Sequence, residues 1–311
     1  MGEPELRQTD RVTRRDPNDA WVECTCGSRH WGLGGAAGLA LVDRATGTVA
    51  LQLRSAASHQ GGSWALPGGA IGTGESPLAG ALREAQEEAA IASDAVRPRF
   101  ARVLDHEVWR YTTVVADVVG ERPVLLPLDG ESADLAWVEL DAVDRLPLHP
   151  AFAQAWPALR TLATTRAELL VDVANVLGSR PDGWWRDRPG ATTHLLATLA
   201  DAGPLPADWF GLDAGEAWPD VVAVLEGAAR AATPPPPPPA PGTLGVSVVP
   251  ASGSGDDEIV RLAAASPSEA LAVATADREL RSRLPERARV VGPETLRRHL
   301  DQAPRPRHLP A

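Results

Sequence analysis

Short apolar runs alternate with turn-forming residues through the first half of the chain. Residues 35–42 (GAAGLALV) and 49–54 (VALQLR) read as strands joined by a turn over 44–47. The loop 58–63, with Gly61 and Gly62 inside it, leads to the triplet 64–66. Residues 111–118 (YTTVVADV) are rich in β-branched side chains, which suit a half-buried pleated surface, and 135–139 (LAWVE) reads as a further strand. From 152 to 167 the residues Phe152, Trp156, Leu159 and Leu162 recur at helical spacing, so a helix is predicted to close this half.

A second series opens at 169–175 (LLVDVAN), a buried strand with Asp172 and Asn175 at its carboxyl end. A helix is predicted around 192–202, then a strand over 221–226 (VVAVLE). The run 233–242 (TPPPPPPAPG) holds six consecutive prolines, which favour a stiff polyproline II rod and read here as a loop insertion. After it come the strand 245–250 (GVSVVP), a turn at 253–255, a helix from Asp256-Asp257, and the strand 270–274, which runs into Thr275-Ala276-Asp277. Strands alternating with helices imply a mainly parallel sheet, whose sites lie at the carboxyl ends of its strands. The expected division is an N-terminal arm over 1–19, a domain over 20–165 and a second over 166–311 carrying the insert at 233–242. Each domain is expected to have its own core.

The most specific chemistry lies in 69–91, GAIGTGESPLAGALREAQEEAAI. Ser76 suits an N-cap, and Pro77 suits the first helical position, where its missing N–H costs nothing. Once helical, Glu84, Glu87 and Glu88 stand at i, i+3 and i+4 on one face, and Glu75 joins them from the loop. Carboxylates so placed repel one another unless a hard, oxygen-ligated cation such as Mg²⁺ or Mn²⁺ sits among them. This spacing resembles the Nudix box, and Trp64 to Gly68 resemble the strand and loop that lead into it. The resemblance implies a Nudix α/β/α sandwich with a mixed sheet. It implies Glu84, Glu87 and Glu88 as metal ligands and Arg83 as the group orienting Glu75 or a neighbouring carboxylate. Gly68, Gly69 and Trp109, with His106 and Tyr111, are the candidates for contact with substrate. The reaction implied is hydrolysis of a nucleoside diphosphate linked to another moiety, by water activated on Mg²⁺ or Mn²⁺. Glu75 and Glu131 remain alternatives for the base. Ala90 departs from the pattern, standing where the family has a glycine that ends the helix in a left-handed turn. That exchange is expected to cost up to about 1 kcal/mol and to remove no ligand.

In the second half, acids fall at strand ends: Asp172, Glu226, Asp256 or Asp257, and Asp277. Carboxylates delivered from separate strands to one crevice suit a divalent-metal site for phosphodiester hydrolysis. The elements VDVAN, SGSGDDEIV and TADREL resemble the NYN branch of the PIN-like ribonucleases. That resemblance implies a metal site of Asp172, Asp256, Asp257 and Asp277, with Asn175 contacting substrate. The alternative is that these acids cap helices and line turns.

Composition then narrows the setting. At 311 residues, 44% hydrophobic and 23% charged, the chain is expected to be globular and soluble. No apolar run reaches membrane-spanning length and the first residues lack a signal-peptide pattern, so a cytoplasmic protein is expected, with no membrane partner. The net charge of −11 argues against a protein that coats nucleic acid electrostatically. The end is nonetheless basic: nine arginines against four acids between 278 and 307 leave single-stranded RNA open as a partner. The expected partners are thus a nucleotide-derived small molecule and RNA, with a homodimer as a further alternative. Two cysteines, Cys24 and Cys26, form a C-x-C-x₃-H cluster with His30. Zinc is conceivable there, but a structural site needs four ligands. The sequence alone favours a loop before the first strand.

Overall fold

The computed structural model describes residues 16–302 except 57, 59, 129 and 237–240. The first half contains β1 (Trp21–Glu23), β2 (Arg29–Trp31), β3 (Ala36–Asp43), β4 (Thr48–Arg54), β5 (Trp64–Ala65), β6 (Gly68–Ala70), α1 (Pro77–Ala89), β7 (Val96–Asp105), β8 (Arg110–Val118), β9 (Ser132–Glu139) and α2 (Pro150–Thr164). The second contains β10 (Ala167–Asp172), α3 (Val173–Gly178), α4 (Arg188–Ala200), β11 (Leu205–Pro206), β12 (Glu216–Ala217), β13 (Asp220–Leu225), β14 (Gly245–Pro250), α5 (Gly255–Ala265), β15 (Ala270–Ala274), α6 (Arg278–Arg283), β16 (Arg289–Val291) and α7 (Pro293–Gln302).

β3 is buried along its whole length because both its faces are covered. Its alternation assigns each face to a helix. Ala37, Leu39 and Leu41 pack with Ala81, Ala85 and Ala89 of α1, whereas Ala40 and Val42 pack with Phe152, Trp156 and Leu159 of α2. β3 pairs in parallel with β8 and antiparallel with β4 and β6, so the sheet is mixed. The result is an α/β/α sandwich. Among the described residues this sheet has nine strands, in the order β11-β12-β7-β8-β3-β4-β5, with β6 on β3 and β9 on β4.

β10 starts a separate parallel sheet, ordered β14-β13-β10-β15-β16. From β10 the chain moves outward first to one side and then to the other. The carboxyl ends of β10 and β15 therefore flank the point where the order reverses, the usual crevice for ligands in such sheets.

The two halves share buried apolar structure. β12 pairs antiparallel with β7 and so extends the first sheet. Leu205, Phe210, Ala217 and Trp218 lie in the same core cluster as Phe100, Trp156, Leu159 and Leu169. Charges add a second seam: Asp117 receives Arg44 and Arg99, and Arg99 continues to Asp220. The expected break at residue 165 falls between α2 and β10, but the core is continuous across it. Of the proline run, residues 233–236 and 241–242 are described. Gly242 accepts a 2.8 Å hydrogen bond from the Trp218 indole, so one end of the insert is fixed to this shared core.

Candidate active site

The helix α1 begins where capping chemistry dictates. Ser76 is extended, its hydroxyl accepts the Ala79 N–H at 3.2 Å, and Pro77 occupies the first turn. It ends at Ala90, which adopts φ 58° and ψ 27° without being a glycine. Packing of Ala81, Ala85 and Ala89 against β3 fixes the rotation of the helix, which sets where its glutamates point.

Arg83 lies at the centre of the charged cluster. Its Nε and Nη2 donate to the two oxygens of Glu75 at 3.0 and 3.1 Å, a bidentate fork. Nη1 donates to Glu84 at 2.8 Å and to Glu87 at 3.0 Å, and Nη2 also reaches the Ala70 carbonyl at 2.8 Å. Glu75 is held from its other side by the Gly72 N–H at 2.8 Å. One guanidinium therefore collects three carboxylates. Glu84 is largely buried, and burial raises its pKa against the lowering by Arg83, with Glu87 and Glu131 pushing it further up. A buried carboxylate made costly by its neighbours suits a divalent cation, which would relieve both the burial and the repulsion.

Glu88 is 3% exposed and takes neutral donors: the Gly68 N–H at 2.7 Å and the Gln52 amide at 3.2 Å. Gln52 is fixed in turn by the Leu66 carbonyl at 3.1 Å and by the Ser132 hydroxyl at 2.6 Å. Neither Gln52 nor Ser132 is among the residues that the sequence singles out. The only available signal was an amide at an inward position of an apolar strand, VALQLR. Gly68 and Gly69 lie in β6, where the backbone passes directly under the carboxylates. A Cβ on Gly69 would fall 2.6 Å from the Glu84 carboxylate, and one on Gly68 would meet Gly38 Cα at 2.6 Å. Tyr111 lies beneath them, its hydroxyl held protonated by burial and by the nearby Glu88. Trp109 is buried under the β1–β2 hairpin, its indole donating to the Trp31 carbonyl at 3.1 Å and its ring stacked on that of His30. His149 caps α2 by accepting the Ala151 N–H at 3.2 Å.

The second cluster lines a cleft of about 570 Å³ at the switch point of the parallel sheet. Asp172, Asn175, Glu226, Asp256 and Asp277 all face it, together with Glu294. Asp172 caps α3 through the Asn175 N–H at 3.0 Å and accepts the buried Thr275 hydroxyl at 2.9 Å. Asn175 Oδ1 accepts the Ala276 N–H at 3.0 Å, joining the ends of β10 and β15. Asp277 caps α6, accepting from Glu279 at 2.7 Å and Leu280 at 2.9 Å. Burial raises Asp172, and Asp256 and Glu226 add repulsion; Asp256 is raised by burial and then by Asp277 and Glu226. Asp257 is not brought to the cleft. It stands a helical step of about 100° from Asp256, is exposed, and pairs with Arg283. Several arginines of the basic end are engaged inside the protein: Arg283 with Asp257, Arg287 with the carbonyls of Ala263 and Ser266, and Arg297 with Asp182. Arg305 and Arg307 lie outside the described residues.

A mixed sheet between helices, with a glutamate-rich helix and its arginine at one edge, defines a Nudix-type domain. The NUDIX domain family matches residues 32–162. A Mycobacterium tuberculosis protein named "Putative 8-oxo-dGTP diphosphatase 3" is 46% identical over 161 residues, covering 49% of this chain and 73% of that protein. The chain belongs to the Nudix family of hydrolases. A nucleoside triphosphate pyrophosphatase/Nudix hydrolase fusion protein from Bifidobacterium longum is 42% identical over 147 residues, which span 45% of this chain and 30% of that one. The crystal structure of RenU, a Nudix hydrolase from M. smegmatis, is 42% identical, covering 46% of this chain and 94% of that one, with a TM-score of 0.43. Among the described residues no helix is long and apolar enough to cross a membrane.

Proposed function

We propose that this protein is a Mg²⁺- or Mn²⁺-dependent hydrolase that cleaves the diphosphate of a nucleoside di- or triphosphate derivative. The observation that carries this reading is the clamp at Arg83, which gathers Glu75, Glu84 and Glu87 beside the buried Glu88. A bound divalent cation would supply Lewis-acid polarisation of the phosphate and a water of lowered pKa. The protein's own contribution is orientation. Glu84, Glu87 and Glu88 are the ligands in this reading, Gln52 and Gly68 fix Glu88, and Arg83 holds Glu75 close to them as a candidate base. Gly68 and Gly69 let the β6 backbone approach β3 and the Glu84 carboxylate more closely than any residue with a Cβ could. The relative named for 8-oxo-dGTP makes oxidised deoxynucleoside triphosphates the first substrates to try. The test is a screen of the full-length protein against these, nucleotide sugars, ADP-ribose and dinucleoside polyphosphates, with Mg²⁺, Mn²⁺ or chelator. Metal-dependent release of a nucleotide product supports the reading; release that persists in chelator refutes it.

A second reading concerns the parallel sheet. The convergence of Asp172, Glu226, Asp256 and Asp277 on one cleft at the switch point favours a second metal site, with ribonuclease-type hydrolysis of single-stranded RNA as its activity. Full-length protein carrying Asp172→Asn and Asp277→Asn should lose Mn²⁺-dependent RNA cleavage and keep nucleotide hydrolysis. Equal RNA cleavage by both proteins would remove this assignment.

A further inference from the structure

The hairpin β1–β2 is too small to hold itself. It pairs only Trp21–Glu23 with Arg29–Trp31, and isolated two-stranded ribbons are marginal in water. Its turn carries Cys24 and Cys26, and His30 follows on β2. The turn is shaped by Gly27 N–H to the Cys24 carbonyl at 3.0 Å, and the Cys26 N–H points at the Cys24 sulfur at 3.4 Å. Cys26 Sγ lies 3.2 Å from His30 Nε2. The fourth residue comes from far along the chain. His106 sits in the turn between β7 and β8, where Glu107 adopts a φ of 65° and its N–H is held by Asp105 at 2.7 Å. That turn carries the His106 ring to 4.9 Å from the ring of His30.

One ligand atom from each of Cys24, Cys26, His30 and His106 lies within 4.8 Å of every other. A tetrahedral zinc ion with Zn–S near 2.3 Å and Zn–N near 2.0–2.1 Å places its donors roughly 3.3–3.8 Å apart. The observed spacing is thus within about 1–1.5 Å of closure, a gap on the scale of side-chain rotation. We propose that Cys24, Cys26, His30 and His106 form a Cys₂His₂ zinc site that fastens the N-terminal hairpin to the β7–β8 turn.

The donor set selects the metal. Two thiolates and two imidazoles are soft and borderline ligands that suit tetrahedral Zn²⁺, not the hard cations suited to the glutamates of α1. Four protein ligands leave no open position, so the site is structural. Its surroundings fit that role. The His30 ring stacks on Trp109 at 4.1 Å with an interplanar angle of 11°, and the Trp109 carbonyl accepts the His106 N–H at 2.9 Å. Both histidines are therefore positioned by the residue that leads into β8. Binding would release the two thiol protons to solvent and leave both imidazoles neutral.

Cobalt provides a test specific to this site, because Cys24 and Cys26 are the only cysteines in the chain. Full-length protein, stripped of metal under reducing conditions, is titrated with Co²⁺. The expected result is one equivalent giving intense tetrahedral d–d absorption and a thiolate-to-cobalt charge-transfer band, both abolished by one equivalent of Zn²⁺. The carboxylates of α1 cannot produce the thiolate band, so Glu87→Gln should leave it unchanged even if nucleotide hydrolysis is lost. Cys26→Ser should weaken the band, and His106→Ala should abolish tight one-to-one binding while the far-ultraviolet circular dichroism persists. Absence of the thiolate band, or a His106→Ala spectrum identical to the wild type, would overturn the proposal.

Discussion

At the residue scale, a few backbone and side-chain positions decide where the carboxylates of α1 point. Gly69→Ala would place its Cβ 2.6 Å from the Glu84 carboxylate, the free end of a side chain that can swing aside. The strain should therefore fall on the site and spare the fold. Nucleotide hydrolysis should drop by about 10²-fold, the scale of an ångström-sized misplacement, with the melting temperature nearly unchanged; unaltered kcat would show that Glu84 need not sit there. Titration gives a second expectation. Glu84 has a raised pKa in the folded state, so its contribution opposes folding progressively as pH rises from its ordinary value through the raised one. A cation bound there displaces that proton. The gain in melting temperature from saturating Mn²⁺ should then be larger near about pH 7 than near about pH 5, and a gain independent of pH would argue against Glu84 as a ligand. The glutamates and Arg83 were legible because one helix carries most of them at fixed spacing. Gln52 and Ser132 were not legible, since each matters only through a partner many residues away.

At the element scale, α1 was readable from end to end: cap, first-turn proline, glutamate face and the anomalous Ala90. The observed φ of 58° at Ala90 leads to a direct expectation. Ala90→Gly should raise stability by up to about 1 kcal/mol despite the added freedom of the unfolded chain, measured by urea unfolding. A destabilised variant would mean that the methyl group packs better than its backbone strain costs. Helix α4 begins earlier than the predicted 192–202, at Arg188, because Asp187 caps it by accepting the Gly190 N–H at 2.9 Å and Pro189 sits in its first turn. That signal was present in the sequence. The β1–β2 hairpin was not recoverable in the same way, since its short strands carry no period and His106 is remote in sequence. Adjacent acids show the limit of motif reading: Asp256 and Asp257 are indistinguishable as text, yet one faces the cleft and the other pairs with Arg283.

At the scale of the whole molecule, the two sheets share one of three buried apolar clusters among the described residues, and the shared portion was invisible in the sequence because β11 and β12 are only two residues each. Trp218, 4% exposed, packs where the halves meet. Trp218→Ala should cost about 3–5 kcal/mol and lower the melting of both halves in one transition; two separated transitions in calorimetry would instead indicate independent folding units. The central claim, however, is that the carboxylates gathered by Arg83 form a metal site for diphosphate hydrolysis. It is tested most directly by kcat of full-length wild type and Glu87→Gln on the best nucleotide substrate at saturating Mg²⁺. Glu87 has 58% of its side chain exposed and the swap preserves its shape, so folding should be unaffected. The account predicts a fall of at least about 10²-fold with an unchanged circular dichroism spectrum. Wild-type turnover in the variant would contradict it.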